Sequence, residues 1–298
     1  MANESGVKRI LILGAGYVGQ PLAHRMVDEG HEVWVASRTG AISAVPATAR
    51  LKSVIVDVTD AGSFARLPGS FDQVINCVSS SRGGVEVYRA VFLDGSRNLI
   101  EWMKANPPGR VIFTSSTSVY GQVDGSLVDE ESETNPAGET GRILVETERL
   151  WHDSGLPVTV LRIAGIYGPD RGHLFLKYLR GEAQITGDPN RYFNQIHRDD
   201  VVGAIATALT CDAPVPVCNV SDDSPISQIE FFQWLSDTLK RPLPAFSDGE
   251  LKRKRAVTNK RVSNRRLKEE LGWQLKYPTF RAGYLSEMVR LGPKDTAA

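Results

Sequence analysis

Three glycines, at positions 14, 16 and 19, have the spacing G-x-G-x-x-G. A continuous apolar run, Ile10 to Leu13, precedes them and predicts a buried strand. In this spacing Gly14 allows a tight turn, Gly16 leaves the backbone open to a pyrophosphate, and Gly19 lets the next helix pack closely. The N–H groups at the start of that helix would meet the phosphates, so the motif predicts a dinucleotide site. The alternative is a glycine turn without a ligand.

The end of the next apolar strand distinguishes between two dinucleotides. This strand, 32–36, is followed by Ser37-Arg38-Thr39, without the Asp or Glu that usually holds the ribose 2′-OH of NAD. Arg38 has the charge and the planar fork to bind a 2′-phosphate, so we expect NADP rather than NAD. An ordinary solvated arginine is the alternative. Tyr17 and Val18, inside the glycine motif, are expected to contact the same cofactor.

Composition excludes several classes of protein. The 298 residues contain 35 Lys and Arg against 35 Asp and Glu, so no overall field attracts nucleic acid or membrane. Cys77, Cys211 and Cys218 form neither a disulfide framework nor a C-x-x-C metal motif, and we expect no metal site. The short polar start, 1–8, fits no signal peptide, and no apolar run is long enough to span a membrane. We therefore expect a cytoplasmic protein.

Apolar runs alternate with helical patterns through the first 170 residues. This alternation predicts an α/β fold with a doubly wound, Rossmann-type parallel sheet. The expected strands are 10–13, 32–36, 54–58, 73–78, 110–114 and 158–163, and the expected helices are 16–29, 85–105 and 139–154.

The strict alternation ends near residue 170. We expect residues 1–170 to form the nucleotide-binding domain and residues 171–298 to form a small C-terminal α/β lobe with segments that return to the main sheet. Helices are predicted at 173–181, 201–210, 227–240 and 279–290, with a strand at 217–220.

Five segments in this order resemble the extended short-chain dehydrogenase/reductases, the family of NAD(P)-dependent sugar epimerases and dehydratases. They are the glycine motif at 14–19, Asp57 after the third strand, the Ser115-Ser116 and Val119-Tyr120-Gly121 segments, residues 162–169, and residues 196–201. The resemblance implies that Asp57, with Val58, lies near the adenine and that Asn76 to Val78, with Cys77 and Val78 as contacts, line the nucleotide pocket. It also implies that Ser116 hydrogen-bonds the reacting oxygen.

The chain departs from this family at the proton relay. The family has Tyr-x-x-x-Lys on the helix after the serine, where the lysine lowers the tyrosine pKa. Here the two positions fall on Thr140 and Leu144, which supply neither an acidic hydroxyl nor a charge. The chain therefore resembles the atypical, YeeZ-like members of the superfamily. Tyr120 is our guess for a second catalytic residue.

Three hypotheses remain open at this stage. In the first, the protein is an NADP-linked oxidoreductase or epimerase-like enzyme whose proton donor has moved, with Tyr167, His173, His197 or Arg142 as further candidates. Each of these has a packing or surface role as its alternative. In the second, the protein is an NADP-binding sensor or regulatory module without turnover. In the third, it is a structural partner that keeps the nucleotide for stability.

A basic run extends from Lys252 to Arg255 and continues at Lys260, Arg261, Arg265 and Arg266. It could hold an anionic substrate such as a sugar nucleotide, or it could be a solvated face neutralised by nearby acids. Nucleic acid is the third reading, but no aromatic residues are interleaved for stacking. The family resemblance also implies a homodimer through helices 85–105 and 139–153.

Overall fold

A seven-stranded parallel sheet forms the centre of the protein in the computed structural model, which describes residues 6–40, 50–80, 83–247 and 258–292. Its strands are β1 (Arg9–Leu13), β2 (Glu32–Ser37), β3 (Leu51–Ile55), β4 (Gln73–Asn76), β5 (Arg110–Ser116), β6 (Val158–Ile163) and β7 (Val217–Val220). Across the sheet they run in the order β7-β6-β5-β4-β1-β2-β3. The predicted doubly wound Rossmann-type fold is confirmed.

Helices cover both faces of the sheet. The α-helices of the described residues are α1 (Gly19–Asp28), α2 (Val85–Arg89), α3 (Gly95–Met103), α4 (Glu139–His152), α5 (His173–Leu179), α6 (Arg198–Thr210), α7 (Gln228–Leu239), α8 (Arg265–Glu269) and α9 (Phe280–Leu291). A π-helical turn, Ala90–Asp94, joins α2 to α3, so the helix expected over 85–105 is not a regular α-helix throughout.

Strand β1 explains why its sequence is apolar without alternation. Leu11 and Leu13 belong to the hydrophobic core on the side of α3 and α4, whereas Ile10 and Ile12 belong to the core on the side of α1 and α6. All four side chains are at most 1% exposed. A strand buried on both faces reads as a continuous apolar run, as the sequence predicted.

The third strand lies earlier in the chain than expected. The apolar run suggested 54–58, but β2 pairs with Leu51–Ile55, and Asp57 and Val58 follow the strand. Strand β3 is the edge strand of the sheet, and only Leu51 among its five residues is buried. Its sequence therefore lacks the continuous apolar run that marks the central strands. A 3₁₀ segment, Ala61–Arg66, follows Asp57 and Val58.

After β6 the chain builds a smaller core of its own. Tyr167, Phe175, Phe231, Phe280 and Tyr284 are among its buried members. Among the described residues, short strands pair two by two in this part and beside it: Leu127–Val128 with Arg261–Val262, Gly165–Tyr167 with Gln195–His197, Ile185–Thr186 with Phe246–Ser247, and Tyr192–Phe193 with Ile226–Ser227.

The main sheet also receives a strand from the second half of the chain. Strand β7 pairs in parallel with β6. The division of the chain at residue 170 stays a prediction. Among the described residues, no helix is long and apolar enough to cross a membrane.

Candidate functional site

The residues predicted to bind the cofactor follow the carboxyl ends of neighbouring strands. Gly14 follows β1, Arg38 follows β2, Asp57 lies two residues after β3, and Cys77 follows β4. Between β1 and β4 the strand order reverses. In open α/β sheets the ligand crevice lies at such a reversal, outside the carboxyl ends of the strands.

The three glycines have three different environments. Gly14 has a φ of 107°, and a Cβ there would lie 2.8 Å from the Cys77 carbonyl oxygen. A Cβ on Gly19 would lie 1.8 Å from the Gly14 carbonyl oxygen, so only glycine lets α1 approach the turn. A Cβ on Gly16 would meet no atom within 4 Å. No contact among the described residues explains a glycine at position 16, whereas a pyrophosphate lying against the backbone would.

No side chain caps the start of α1, although the Gln20 N–H donates to the Gly16 carbonyl oxygen at 3.1 Å. Val18 occupies the N-cap position and makes no side-chain capping bond, and the first turn contains no acid. The first N–H groups of a helix need an acceptor, and the helix dipole favours an anion there. The open Gly16 backbone and the uncapped α1 together fit the phosphates of a dinucleotide.

Tyr17 connects the glycine motif to a turn after β6. Its hydroxyl donates to the carbonyl oxygen of Pro169 at 2.9 Å, and the guanidinium groups of Arg171 and Arg198 lie 4.9 and 5.3 Å from its ring centroid. Burial is the main cause that raises the pKa of Tyr17 to about 12, so the phenol stays neutral. Tyr17, inside the glycine motif, therefore has two guanidinium groups against its ring.

Arg38 and Asp57 lie at the adenosine end of the predicted site. Arg38 is exposed and makes no hydrogen bond or ion pair with any residue that the structure describes. Asp57 is half-buried, and its carboxylate accepts from the backbone N–H and the hydroxyl of Thr59. Val58 is buried against Gly95, and its carbonyl accepts from Asn98.

Cys77 and Val78 form the wall opposite the glycine turn. The Cys77 thiol donates to the carbonyl oxygen of Leu13 at 3.2 Å, and burial raises its pKa to about 12. The thiol is therefore neutral and not a nucleophile. Val78 is half-buried and directly follows it.

Ser116, the predicted catalytic serine, is the last residue of β5 and is half-buried. Its hydroxyl oxygen accepts from the Ser118 backbone N–H at 3.2 Å and caps the 3₁₀ turn Thr117–Val119. No described residue accepts its hydroxyl hydrogen. Ser116 therefore retains a donor at the ligand edge of the sheet.

Tyr120 does not share that exposure. It is 0% exposed, its hydroxyl donates to Asn219 at 2.9 Å, and it accepts from Arg162 at 2.9 Å. Burial raises the pKa of this phenol. Both hydrogen-bonding directions of the hydroxyl are occupied in the core, so the geometry gives Tyr120 a packing role and does not favour the catalytic role that we guessed.

Tyr120 belongs to a buried polar network that the sequence did not reveal. Its centre is the ion pair between Arg162 on β6 and Glu148 on α4, at 2.8 Å. Ser115 donates to the same carboxylate at 2.5 Å. The side chains of the ion pair are 9% and 5% exposed. The sequence signal was weak: an arginine in an apolar strand and a glutamate on the apolar face of a helix.

Two of the other candidate proton donors are also buried. Tyr167 is 1% exposed, its hydroxyl has no described partner, and it lies against the backbone of Gly283. His197 is 1% exposed, and its Nδ1 accepts from the Asp199 N–H as the N-cap of α6. Burial is the main cause that lowers the pKa of His197 to about 4. His197 therefore positions a helix as a neutral imidazole.

The remaining candidates are exposed or already bonded. His173 is exposed at the start of α5. Arg142 is exposed and donates to the carbonyl oxygen of Ala137 at 2.7 Å. Helix α4 contains neither Tyr nor Lys, with Thr140 half-buried and Leu144 buried.

The basic run divides into several environments. Lys252 to Arg255 lie outside the described residues. Arg265 pairs with Glu269, Arg266 pairs with Glu131 and Glu270, and Arg261 stacks on Tyr192. These contacts favour the surface reading for those three arginines. Lys260, in contrast, is 5% exposed.

Comparison with known proteins gives the chain a family. The model of the NAD dependent epimerase/dehydratase family matches residues 10–220. Protein YeeZ of Escherichia coli K12 is 28% identical over 282 residues, which cover 91% of this chain and 97% of YeeZ. The UDP-glucose 4-epimerase of Corynebacterium glutamicum is 25% identical over 303 residues, with 90% of each chain covered.

A solved structure has the same fold. The Bordetella bronchiseptica enzyme WbmG, in complex with NAD and UDP, superposes with a TM-score of 0.81 at 22% identity, covering 100% of this chain and 98% of WbmG.

The different environments of Gly16 and Gly19 give a matched pair of variants. Gly16→Val should abolish nucleotide binding by filling the open backbone, with a Tm within about 2 °C of wild type. Gly19→Ala should cost about 1–3 kcal/mol and lower the Tm by several degrees, because α1 must move away from the turn. Dinucleotide titration and thermal melts measure both. Wild-type affinity in Gly16→Val would remove the phosphate site.

The buried ion pair predicts a large effect on stability. Glu148→Leu leaves the Arg162 guanidinium buried without its counter-ion and should cost about 3–5 kcal/mol of unfolding free energy. Glu146→Leu, on the same helix but with a side chain that is 47% exposed, should cost less than about 1 kcal/mol. Urea unfolding of both variants measures this difference. Equal losses of unfolding free energy in the two variants would show that the buried ion pair contributes no more than an exposed one.

Proposed function

Since the chain belongs to the NAD dependent epimerase/dehydratase family, we propose that it is an NAD(P)-dependent oxidoreductase or epimerase/dehydratase-like enzyme. Its substrate is a small molecule, anionic or a sugar nucleotide, and NADP is the preferred cofactor. The family consists of enzymes of this kind, and relatives include a UDP-glucose 4-epimerase. WbmG, of the same fold, was solved with NAD and UDP.

The observation that carries this proposal is the open backbone at Gly16. The glycine has no packing reason, it precedes an uncapped helix, and it lies beside the reversal of strand order. A bound dinucleotide would use Gly14, Gly16, Tyr17, Val18 and Gly19 at its phosphates. Asp57, Val58, Cys77 and Val78 would line the adenosine side.

The preference for NADP rests on Arg38 alone. This side chain is exposed at the carboxyl end of β2, where no acid competes for the ribose. A guanidinium can hold a 2′-phosphate through two parallel hydrogen bonds, which NAD cannot offer.

The remaining chemistry belongs to the chain's own side chains. When bound, the nicotinamide exchanges a hydride with the substrate carbon. Ser116 would donate a hydrogen bond to the reacting oxygen and thereby hold that oxygen at the edge of the sheet. A second group must exchange a proton there, and α4 has no tyrosine to do so.

A sensor without turnover is the alternative function. It is favoured by one observation: Tyr120, Tyr167 and His197 are each at most 1% exposed, so no predicted acid among these three reaches the site. In this alternative the protein would bind NADPH and undergo a change of state without oxidising it.

Fluorescence titration with NADPH and NADH separates these functions when a substrate screen follows. We expect micromolar NADPH binding, and oxidation of NADPH by at least one compound from a panel of carbonyl compounds and sugar nucleotides, with turnover reduced in Ser116→Ala. NADPH binding without any turnover would favour the sensor. No binding of either nucleotide would overturn both.

Arg38→Glu tests the choice of cofactor. Loss of the charge-assisted hydrogen bonds should raise the Kd for NADPH about 10- to 100-fold and leave the Kd for NADH within about threefold. Arg265→Glu, at a side chain that is 75% exposed on α8, is the control and should change neither value. Equal losses for both nucleotides in Arg38→Glu would contradict the preference for NADP.

A further inference from the structure

Lys260 is a buried amine without a counter-ion. The residue is 5% exposed, and its Nζ donates to the backbone oxygen of Tyr120 at 3.0 Å. Within the described residues no carboxylate lies within ion-pair distance of it. Burying a cation without an anionic partner is costly. The amine is therefore neutral in the free protein, or a charged or polar ligand binds to it.

The surroundings of Lys260 supply no acid in contact. The described segments that are hydrogen-bonded to residues 259–261 are 120–126 and 192–194. Their titratable side chains are Tyr120, Asp124 and Tyr192, and Arg261 follows Lys260 in the chain. The one acid among them, Asp124, is exposed and accepts from the Ser126 backbone N–H. Burial alone lowers the pKa of Lys260 to about 8.

The amine lies at the turn that follows the predicted catalytic serine. Ser116 caps the three-residue 3₁₀ turn Thr117–Val119 at its start, and Tyr120, whose carbonyl binds Lys260, follows its end. The Lys260 amine and the Ser116 hydroxyl therefore lie at the two ends of one short turn.

The first turn of α4 packs against the same 3₁₀ turn. A Cβ on Gly141 would lie 3.0 Å from the Ser118 carbonyl oxygen. Thr140, at the position where the family resemblance calls for the tyrosine, is the neighbour of Gly141. Lys260 therefore binds the end of a turn that also contacts the first turn of α4. In the family that the chain resembles, this turn of α4 carries the catalytic tyrosine.

We propose that Lys260 exchanges the proton with the reacting oxygen at this site, in place of a tyrosine on α4. The proposal rests on the proposed function, because it assigns a residue to the same reaction. One hydrogen of the ammonium bonds the Tyr120 backbone oxygen, and one of the two without a described acceptor would bond the substrate oxygen.

The step balances for a carbonyl substrate and a reduced nicotinamide cofactor. The carbonyl carbon accepts a hydride, so a C–H bond forms and the C=O π pair moves to oxygen. The oxygen takes a proton from the Lys260 ammonium, which becomes a neutral amine and regains a proton from water. The substrate is reduced and the cofactor is oxidised. Alcohol oxidation runs through the same atoms in reverse.

An amine that titrates near neutral pH suits this task, because general acid–base catalysts work best when their pKa lies near the operating pH. Threonine or serine hydroxyls cannot do so. The charge of the ammonium would also stabilise the oxygen as negative charge develops on it.

Competitive acetylation of the wild-type protein tests Lys260 without a substrate. Acetic anhydride at low concentration, from pH 6 to 11, is followed by mass spectrometry of the peptide that contains Lys260. We expect reaction in the folded protein with a midpoint near pH 8. A midpoint above about pH 10, the range of an ordinary lysine, or no reaction until the protein unfolds, would overturn the proposal.

Variants test the same role on the reaction found by the substrate screen. Lys260→Met should lower kcat by about 100-fold or more with an unchanged Kd for NADPH. Lys260→Arg should restore the Tm but not kcat, because a guanidinium does not release its proton near pH 7. The matched control is Lys268→Met, at a lysine that is 44% exposed in the same part of the chain. An unchanged kcat in Lys260→Met would refute the role.

The two proposals fail separately. If NADPH binds but Lys260 is acetylated like an ordinary lysine, or not at all in the folded protein, only the inference on Lys260 fails. If NADPH does not bind, the proposed function fails whatever the reactivity of Lys260.

Discussion

The close approach of α1 to the glycine turn is the constraint on which the site depends. Only a residue without a Cβ at position 19 lets the helix meet the Gly14 carbonyl, since a Cβ would lie 1.8 Å from that oxygen. The contact directs the uncapped start of α1 toward the loop after β4. The Gly16 backbone in the same loop is open, so the start of the helix adjoins the space that we propose for the phosphates.

Several acidic and phenolic side chains near the predicted site have structural roles. Glu148 and Arg162 form a buried pair between α4 and β6, and Tyr120 extends it to Asn219 near the end of the sheet. Such a network rigidifies the floor of the site when every member is bonded. It also explains why a tyrosine close to the serine in sequence is not available to a substrate.

Fold and cofactor motif could be predicted from the sequence because each leaves a local pattern. A strand buried on both faces is apolar throughout, and the glycines occupy fixed offsets from it. Strand β3 was placed three residues late because an edge strand alternates and its apolar residues continue past the pairing region.

The roles of the candidate catalytic residues were less predictable, because their burial depends on contacts between distant segments. Tyr120 and Lys260 are 140 positions apart and meet only when the chain after 258 crosses the segment after β5. In the sequence Lys260 is one of several basic residues and carries no sign of burial. His197 likewise reads as a titratable group until its capping bond to α6 is known.

Amide hydrogen exchange with and without saturating NADPH tests the central claim most directly, because it locates the nucleotide on the chain. The account predicts slower exchange in peptides that contain residues 14–19 and 76–78, and no change in α7, which lies in the C-terminal part. Unchanged exchange at 14–19, with protection elsewhere or nowhere, would contradict a dinucleotide site at the glycine turn.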